Sequence, residues 1–267
     1  MEFAVDGLRT FAATGGRPFD PARPAILFVH GAANDHSVWH LPARHFAHHG
    51  YSVAAVDLPG HGRSEGEPPA TVAEMAAWLG RAREALGLER AVLAGHSMGS
   101  LIVLCAAADD PGATKKLILL GPAAAMPVHD DLLDAARRND HKAIDLITYW
   151  GLSAASQIGG HRSPGLWMNG GGQRLLERAD DGVLAAGLAA CAAFADGEAL
   201  ARAIEAETLL ILGERDMMTP MKGGIALARA IPDARHVVLA GCGHTMLAER
   251  PNETLDAMRD FLLPAAL

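Results

Sequence analysis

The chain has 267 residues, of which 50% are hydrophobic, 5% aromatic and 20% charged, and its formal net charge is −8. That length accommodates one large domain, or a core carrying an insertion, around an aliphatic interior. The acidic balance, with no basic run anywhere, excludes a non-specific nucleic-acid binder and an anionic membrane surface as partner.

Three cysteines, Cys105, Cys191 and Cys242, are odd in number and far apart, which reads as buried free thiols in a reducing compartment. Met1–Asp6 shows neither a basic nor a long apolar segment, and no run of about 18 apolar residues exists. A cytoplasmic protein with no membrane span is expected. The sequon Asn252-Glu253-Thr254 is then incidental.

Residues 2–14 alternate weakly around Asp6-Gly7 and read as an antiparallel edge hairpin. Ala25–His30 is a continuous apolar run, as expected of a strand buried on both faces. A helix over 36–49 and a strand over 51–57 follow. Leu58–Pro69 is a loop rich in glycine and proline. Thr71 caps a helix to about Leu86, with Glu74 at the capping-box position. Ala91–Leu104 holds a short apolar run, a serine between glycines two positions away on either side, and a longer apolar run rich in Leu and Ala. By length and bounding signals this is strand, sharp turn and helix. Lys115–Leu120 is one more strand.

From 123 to 206 the pattern changes to helices, at about 130–138, 140–150, 173–180, 182–195 and 197–206, with a loop over 159–172. Strand 208–213, helix 222–231, strand 236–240 and a last helix to Leu263 restore the alternation. Alternating strands and helices predict an α/β fold with a mainly parallel sheet. The expected domains are a core of 1–122 and 207–267 and a helical cap of 123–206 over the carboxyl edge of the sheet.

A serine at the tip of a strand-to-helix turn needs a strained backbone to project its hydroxyl, and this crowds the residues two before and two after it. Gly95 and Gly99 meet that need around Ser97. The helix beyond aims free N–H groups and its positive end at the serine, where an oxyanion would be stabilised. A serine hydroxyl also needs a base, and the base needs an orienting group. Two later strands run into Gly213-Glu214-Arg215-Asp216 and Gly241-Cys242-Gly243-His244. Both segments fall at the carboxyl edge, where open α/β sheets bind their ligands. Asp216 competes with Glu214 and Glu205 for the orienting role.

With these segments in view, the chain resembles the α/β-hydrolase fold family, in its capped esterase, lipase and C–C hydrolase branch. The matching stretches are Phe28-Val29-His30-Gly31, Asp57–Ser64, Gly95-His96-Ser97-Met98-Gly99, Gly213–Asp216 and Gly243-His244. The resemblance implies an eight-stranded, mostly parallel sheet flanked by helices, with the cap inserted. It also implies Ser97 as nucleophile, His244 as base, Asp216 as the orienting residue, and the backbone N–H groups of Ala32 and Met98 as the oxyanion hole.

The resemblance implies that such a site hydrolyses a small-to-medium, mainly apolar carboxylic ester through an acyl-enzyme. A C–C bond hydrolase, a lactonase and a catalytically silent receptor on the same fold stay open as alternatives. His96 before the serine, where C–C hydrolases often carry Asn, weighs against the first. His30, Met126, Trp150, Trp167, Met168, Met217, Met218 and Met246 are expected to line the substrate pocket, with His30 packing and hydrogen-bonding beside the oxyanion turn and not acting as a base. Arg63 is expected in a salt bridge near Asp57.

The pairs His36/His40 and His45/His49 share helix faces, but no third ligand completes either set, so no metal is expected. The glycines at 60, 62 and 66 miss the dinucleotide spacing, so no cofactor is expected. The partners are a small-molecule substrate and water, acting on a monomer or homodimer.

Overall fold

A computed structural model describes residues 1–160 and 166–263. In chain order, β1 (Glu2–Val5) and β2 (Leu8–Ala13) form the hairpin. Asp6 and Gly7 turn it with φ of 53° and 80°, the left-handed pair that two-residue hairpins prefer. Next come β3 (Ala25–Val29), a 3-10 turn over His36–Trp39, α1 (His40–His48), β4 (Ser52–Val56) and α2 (Val72–Ala85). The helix expected over 36–49 thus begins as a tighter turn. Thr71 and Glu74 form the reciprocal capping box at the start of α2.

β5 (Ala91–His96), α3 (Met98–Asp109) and β6 (Thr114–Leu120) follow. The described residues between β6 and β7 form α4 (Asp130–Arg137), α5 (Lys142–Gly151), α6 (Ala154–Gln157), α7 (Met168–Leu176), α8 (Val183–Ala193) and α9 (Gly197–Arg202). The chain closes with β7 (Thr208–Gly213), α10 (Met221–Ala230), β8 (Ala234–Leu239), α11 (Met246–Glu249) and α12 (Pro251–Leu262).

The eight strands lie in the order β1-β2-β4-β3-β5-β6-β7-β8. The pairs β1/β2 and β2/β4 are antiparallel and the rest are parallel. Alternate residues of each inner strand serve opposite faces. Leu27, Val29, Leu210 and Leu212 join α2, α3 and α10 on one side. Ile26, Phe28, Leu209 and Ile211 join α1 and α12 on the other. This double burial explains why β3 and β7 read as unbroken apolar runs rather than alternating ones. α9 packs on α3 and α10, and Ala201 and Ile204 lie in the first of these layers.

The helical segment also differs from expectation: α6 is not among the expected helices, and the start and end of α7 are displaced. Residues 168–172, read as loop, open α7, and that helix ends at Leu176 rather than 180. Glycines at 170–172 argue against helix by propensity. The Trp167 ring lies against Gly170, where a Cβ would fall 2.2 Å from ring carbon Cε3, so packing and not propensity decides. Residues 161–165 of that expected loop lie outside the described residues.

Candidate active site

Three loops at the carboxyl edge bring the site together. Ser97 lies between β5 and α3 with φ 55° and ψ −123°, a strained conformation for a residue with a side chain. The glycines around it are sterically required. A Cβ on Gly95 would lie 2.1 Å from the Gly99 carbonyl oxygen, and one on Gly99 2.2 Å from that of Val29. The Ser97 amide donates to Leu120 O at 2.9 Å, which fixes the turn to β6.

His244 and Asp216 are buried and paired. Nδ1 of His244 donates to Oδ2 of Asp216 at 2.8 Å. Asp216 Oδ1 accepts the amides of Met218 and Thr219 at 2.9 and 2.8 Å, and Oδ2 accepts the Thr219 hydroxyl at 2.8 Å. Burial alone would raise the Asp216 pKa, but the His244 imidazole and these hydrogen bonds outweigh it and hold the carboxyl below its ordinary value. Glu214, its competitor in sequence, instead accepts the Gly241 amide at 2.8 Å on the exposed side. Asp216 is the carboxylate that meets the histidine.

With Nδ1 committed, a neutral His244 carries its lone pair on Nε2, which is buried without a hydrogen-bond partner. Ser97 and His244 line the same cavity and are not hydrogen-bonded to each other. Such bonds are often long before substrate tightens them. The His244 backbone is held at both ends. Its amide donates to Gly151 O of α5 at 2.8 Å, and its carbonyl accepts Nε2–H of His96 at 2.9 Å. Burial, reinforced by His244, drives the His96 pKa down to about 3, so that ring is neutral.

The amides of Met98 and Ala32 donate no hydrogen bond among the described residues. Both residues meet Gly187 of α8, where a Cβ would lie 3.0 Å from Ala32 Cβ and 3.2 Å from Met98 Sδ. Met98 follows Ser97 in the chain, Ala32 follows Gly31, where a Cβ would lie 3.2 Å from Ser97 Cβ, and Gly187 of α8 packs against both.

The cavity has a volume of about 860 Å³. Met126, Trp150, Trp167, Met168, Met217 and Met218 line it. Met246 does not. It is fully buried beneath the sheet with Cys242 and Met258, because α11 turns it inward. His30 does not line it either: its Nδ1 donates to Gly31 O at 2.8 Å and its Nε2 accepts the Leu58 amide at 3.1 Å. Two backbone bonds use both ring nitrogens and leave that residue structural.

Asp57 accepts the His36 ring and amide and the Arg63 amide. The Arg63 guanidinium forms the expected salt bridge, with Glu2 at 3.4 Å. His40 Nδ1 donates to Ser37 O, so His36 and His40 face different partners. The sequence reading gave no role to Thr219 or Glu249 and did not foresee that His96 would hold the His244 carbonyl. Thr219 sits three residues past Asp216, the only local signal it gave.

A family model described as alpha/beta hydrolase fold matches residues 24–156, and one described as TAP-like protein matches 182–267. The chain belongs to the α/β-hydrolase fold family. Lipase LipV of Mycobacterium tuberculosis is 35% identical over 109 residues, covering 41% of this chain and 40% of the lipase. The chain spans 30–45% of the length of three such curated relatives. The 2-hydroxy-6-oxo-6-phenylhexa-2,4-dienoate hydrolase of Comamonas testosteroni is 28% identical over 260 residues, covering 89% of this chain and 87% of that one. The enol-lactonase structure from Burkholderia xenovorans LB400 superposes with a TM-score of 0.87 at 24% identity, over 98% of this chain and 99% of that one. That likeness shows a shared hydrolase fold.

Proposed function

We propose that this protein is a serine hydrolase that cleaves a mainly apolar carboxylic ester. The observation that carries the reading is the buried Asp216–His244 pair, whose open Nε2 lies on the apolar cavity that also exposes Ser97. In this reading Ser97 Oγ attacks the ester carbonyl while His244 Nε2 takes its proton. Asp216 keeps the other nitrogen protonated and stabilises the imidazolium. The Met98 and Ala32 amides donate hydrogen bonds to the oxyanion of the tetrahedral intermediate. Its collapse releases the alcohol, with the proton returned from His244, and leaves an acyl-enzyme. Water, deprotonated by His244, then frees the acid. Residues 123–206 act as the cap that walls the cavity from bulk water, and a volume of about 860 Å³ suits a medium-sized acyl or alkyl group.

A C–C hydrolase is the second reading. It is favoured by the near full-length match to relatives whose names describe 2-hydroxy-6-oxo dienoate hydrolases. A panel of p-nitrophenyl esters, lactones and vinylogous diketones on wild type and Ser97→Ala separates them. Ester turnover by wild type, lost in Ser97→Ala with the fold intact, is the expected result. Turnover that survives the substitution rejects Ser97 as nucleophile.

A further inference from the structure

A buried carboxylate outside the Ser97–His244–Asp216 set joins the helical segment over the cavity to the loop that carries His244. Glu249 of α11 is only 3% exposed. Its Oε1 accepts the Gly243 amide at 3.0 Å and the Thr245 hydroxyl at 3.2 Å. Its Oε2 accepts the Ser153 amide at 3.1 Å. Gly243 and Thr245 flank His244, whereas Ser153 lies between α5 and α6. Gly151 completes the junction, its carbonyl accepting the amides of His244 and Thr245 at 2.8 and 3.1 Å. The fit leaves no slack. A Cβ on Gly243 would lie 2.6 Å from Ser153 N and 2.7 Å from Glu249 Oε1.

The donors to the Glu249 carboxylate among the described residues, two amides and a hydroxyl, are all neutral. A buried carboxylate without a cation is costly unless donors converge on both oxygens, and here they do. Two of those donors are backbone amides from segments about 90 residues apart, and both need an acceptor. A neutral amide side chain offers only one acceptor atom, so packing alone does not account for a carboxylate at this position.

We propose that Glu249 is a positioning residue for His244: it clamps the Ser153 amide to the residues on either side of the histidine, so the imidazole is aimed at Ser97 only while α5 and α6 are seated. The catalytic consequence rests on the serine-hydrolase reading; the clamp itself does not.

Glu249→Gln keeps the shape but turns an NH₂ group toward one of the amide donors. The measurements are kcat and KM on p-nitrophenyl butyrate per folded molecule, and the far-downfield proton resonance of His244 Nδ1. They are made on wild type, Glu249→Gln and Thr245→Val. In Glu249→Gln, kcat falls about tenfold or more while KM stays within about threefold, and the resonance shifts or broadens. Thr245→Val, which removes one arm of the clamp, shows a smaller loss of the same kind and carries the comparison if the glutamine variant does not fold. An unmoved resonance with unchanged kcat per folded molecule overturns the proposal. If wild type turns over no ester, the resonance alone decides. A shift upholds the clamp and leaves the failure with the hydrolase reading, whereas no shift removes the clamp.

Discussion

Ser97 carries strain that only its role at the turn explains. At φ 55° and ψ −123° a Cβ is disfavoured, at a cost on the order of 1–3 kcal/mol, whereas glycine adopts such a conformation freely. Ser97→Gly is therefore expected to be more stable than Ser97→Ala by about 1 kcal/mol, although both lose the hydroxyl. Urea denaturation of the two variants measures this; equal midpoints would remove the strain. The serine was legible in the sequence because Gly95 and Gly99 advertise the steric demand two residues away on either side. His244 and Asp216 were legible because each follows an apolar strand. Thr219 and Glu249 were not, since they work by accepting or donating to groups that only the folded chain brings near. Met246 illustrates the reverse error: a methionine beside the histidine looked like pocket lining, but α11 points it into the core.

At the scale of elements, burial governed what could be read. β3, β5 and β7 are covered on both faces and announced themselves as continuous apolar runs. β8 is an edge strand exposed over Arg235–Val238, yet its parallel pairing to β7 places the loop that carries His244 beside the one that carries Asp216. The helices between β6 and β7 were legible as a change of period but not in their ends. α7 begins within a glycine run because Trp167 occupies the space a side chain would need. α6 is a single turn, capped by Ser153, and too short to show a periodicity. The junction of α5 and α6 with the histidine loop, through Gly151 and Glu249, makes this helical block part of the site rather than a cover laid upon it.

Across the whole molecule, buried neutral histidines set the response to acid. Burial drives His61 and His96 down to about 3, with neighbouring histidines adding to the effect, and His30 is lowered chiefly by burial too. The unfolded chain protonates such groups below about 6.5 while the folded one does not. Their contribution is thus complete above that value and is lost as pH falls toward 3, by at most about 1.4 kcal/mol per pH unit for each group. The lowered carboxyls of Asp57 and Asp216 act in the same direction, but only below about 3.9, where the unfolded carboxylates take up protons. His141, raised by its hydrogen bonds to Glu177 and Asp145, works the other way but is exposed and screened. The urea midpoint is therefore expected to fall as pH drops from about 6.5 to about 4.5. A flat midpoint over that window would contradict the burial of these rings in neutral form.

The central claim is that Ser97, aimed by its strained turn and served by His244, is the group that attacks substrate. A fluorophosphonate probe followed by peptide mass analysis tests it most directly. One phosphonyl adduct is expected, on the peptide that contains Ser97, formed in step with loss of ester hydrolysis and absent from Ser97→Ala. Full hydrolytic activity with no adduct at Ser97, or an adduct on another residue that tracks the loss of activity, would contradict it.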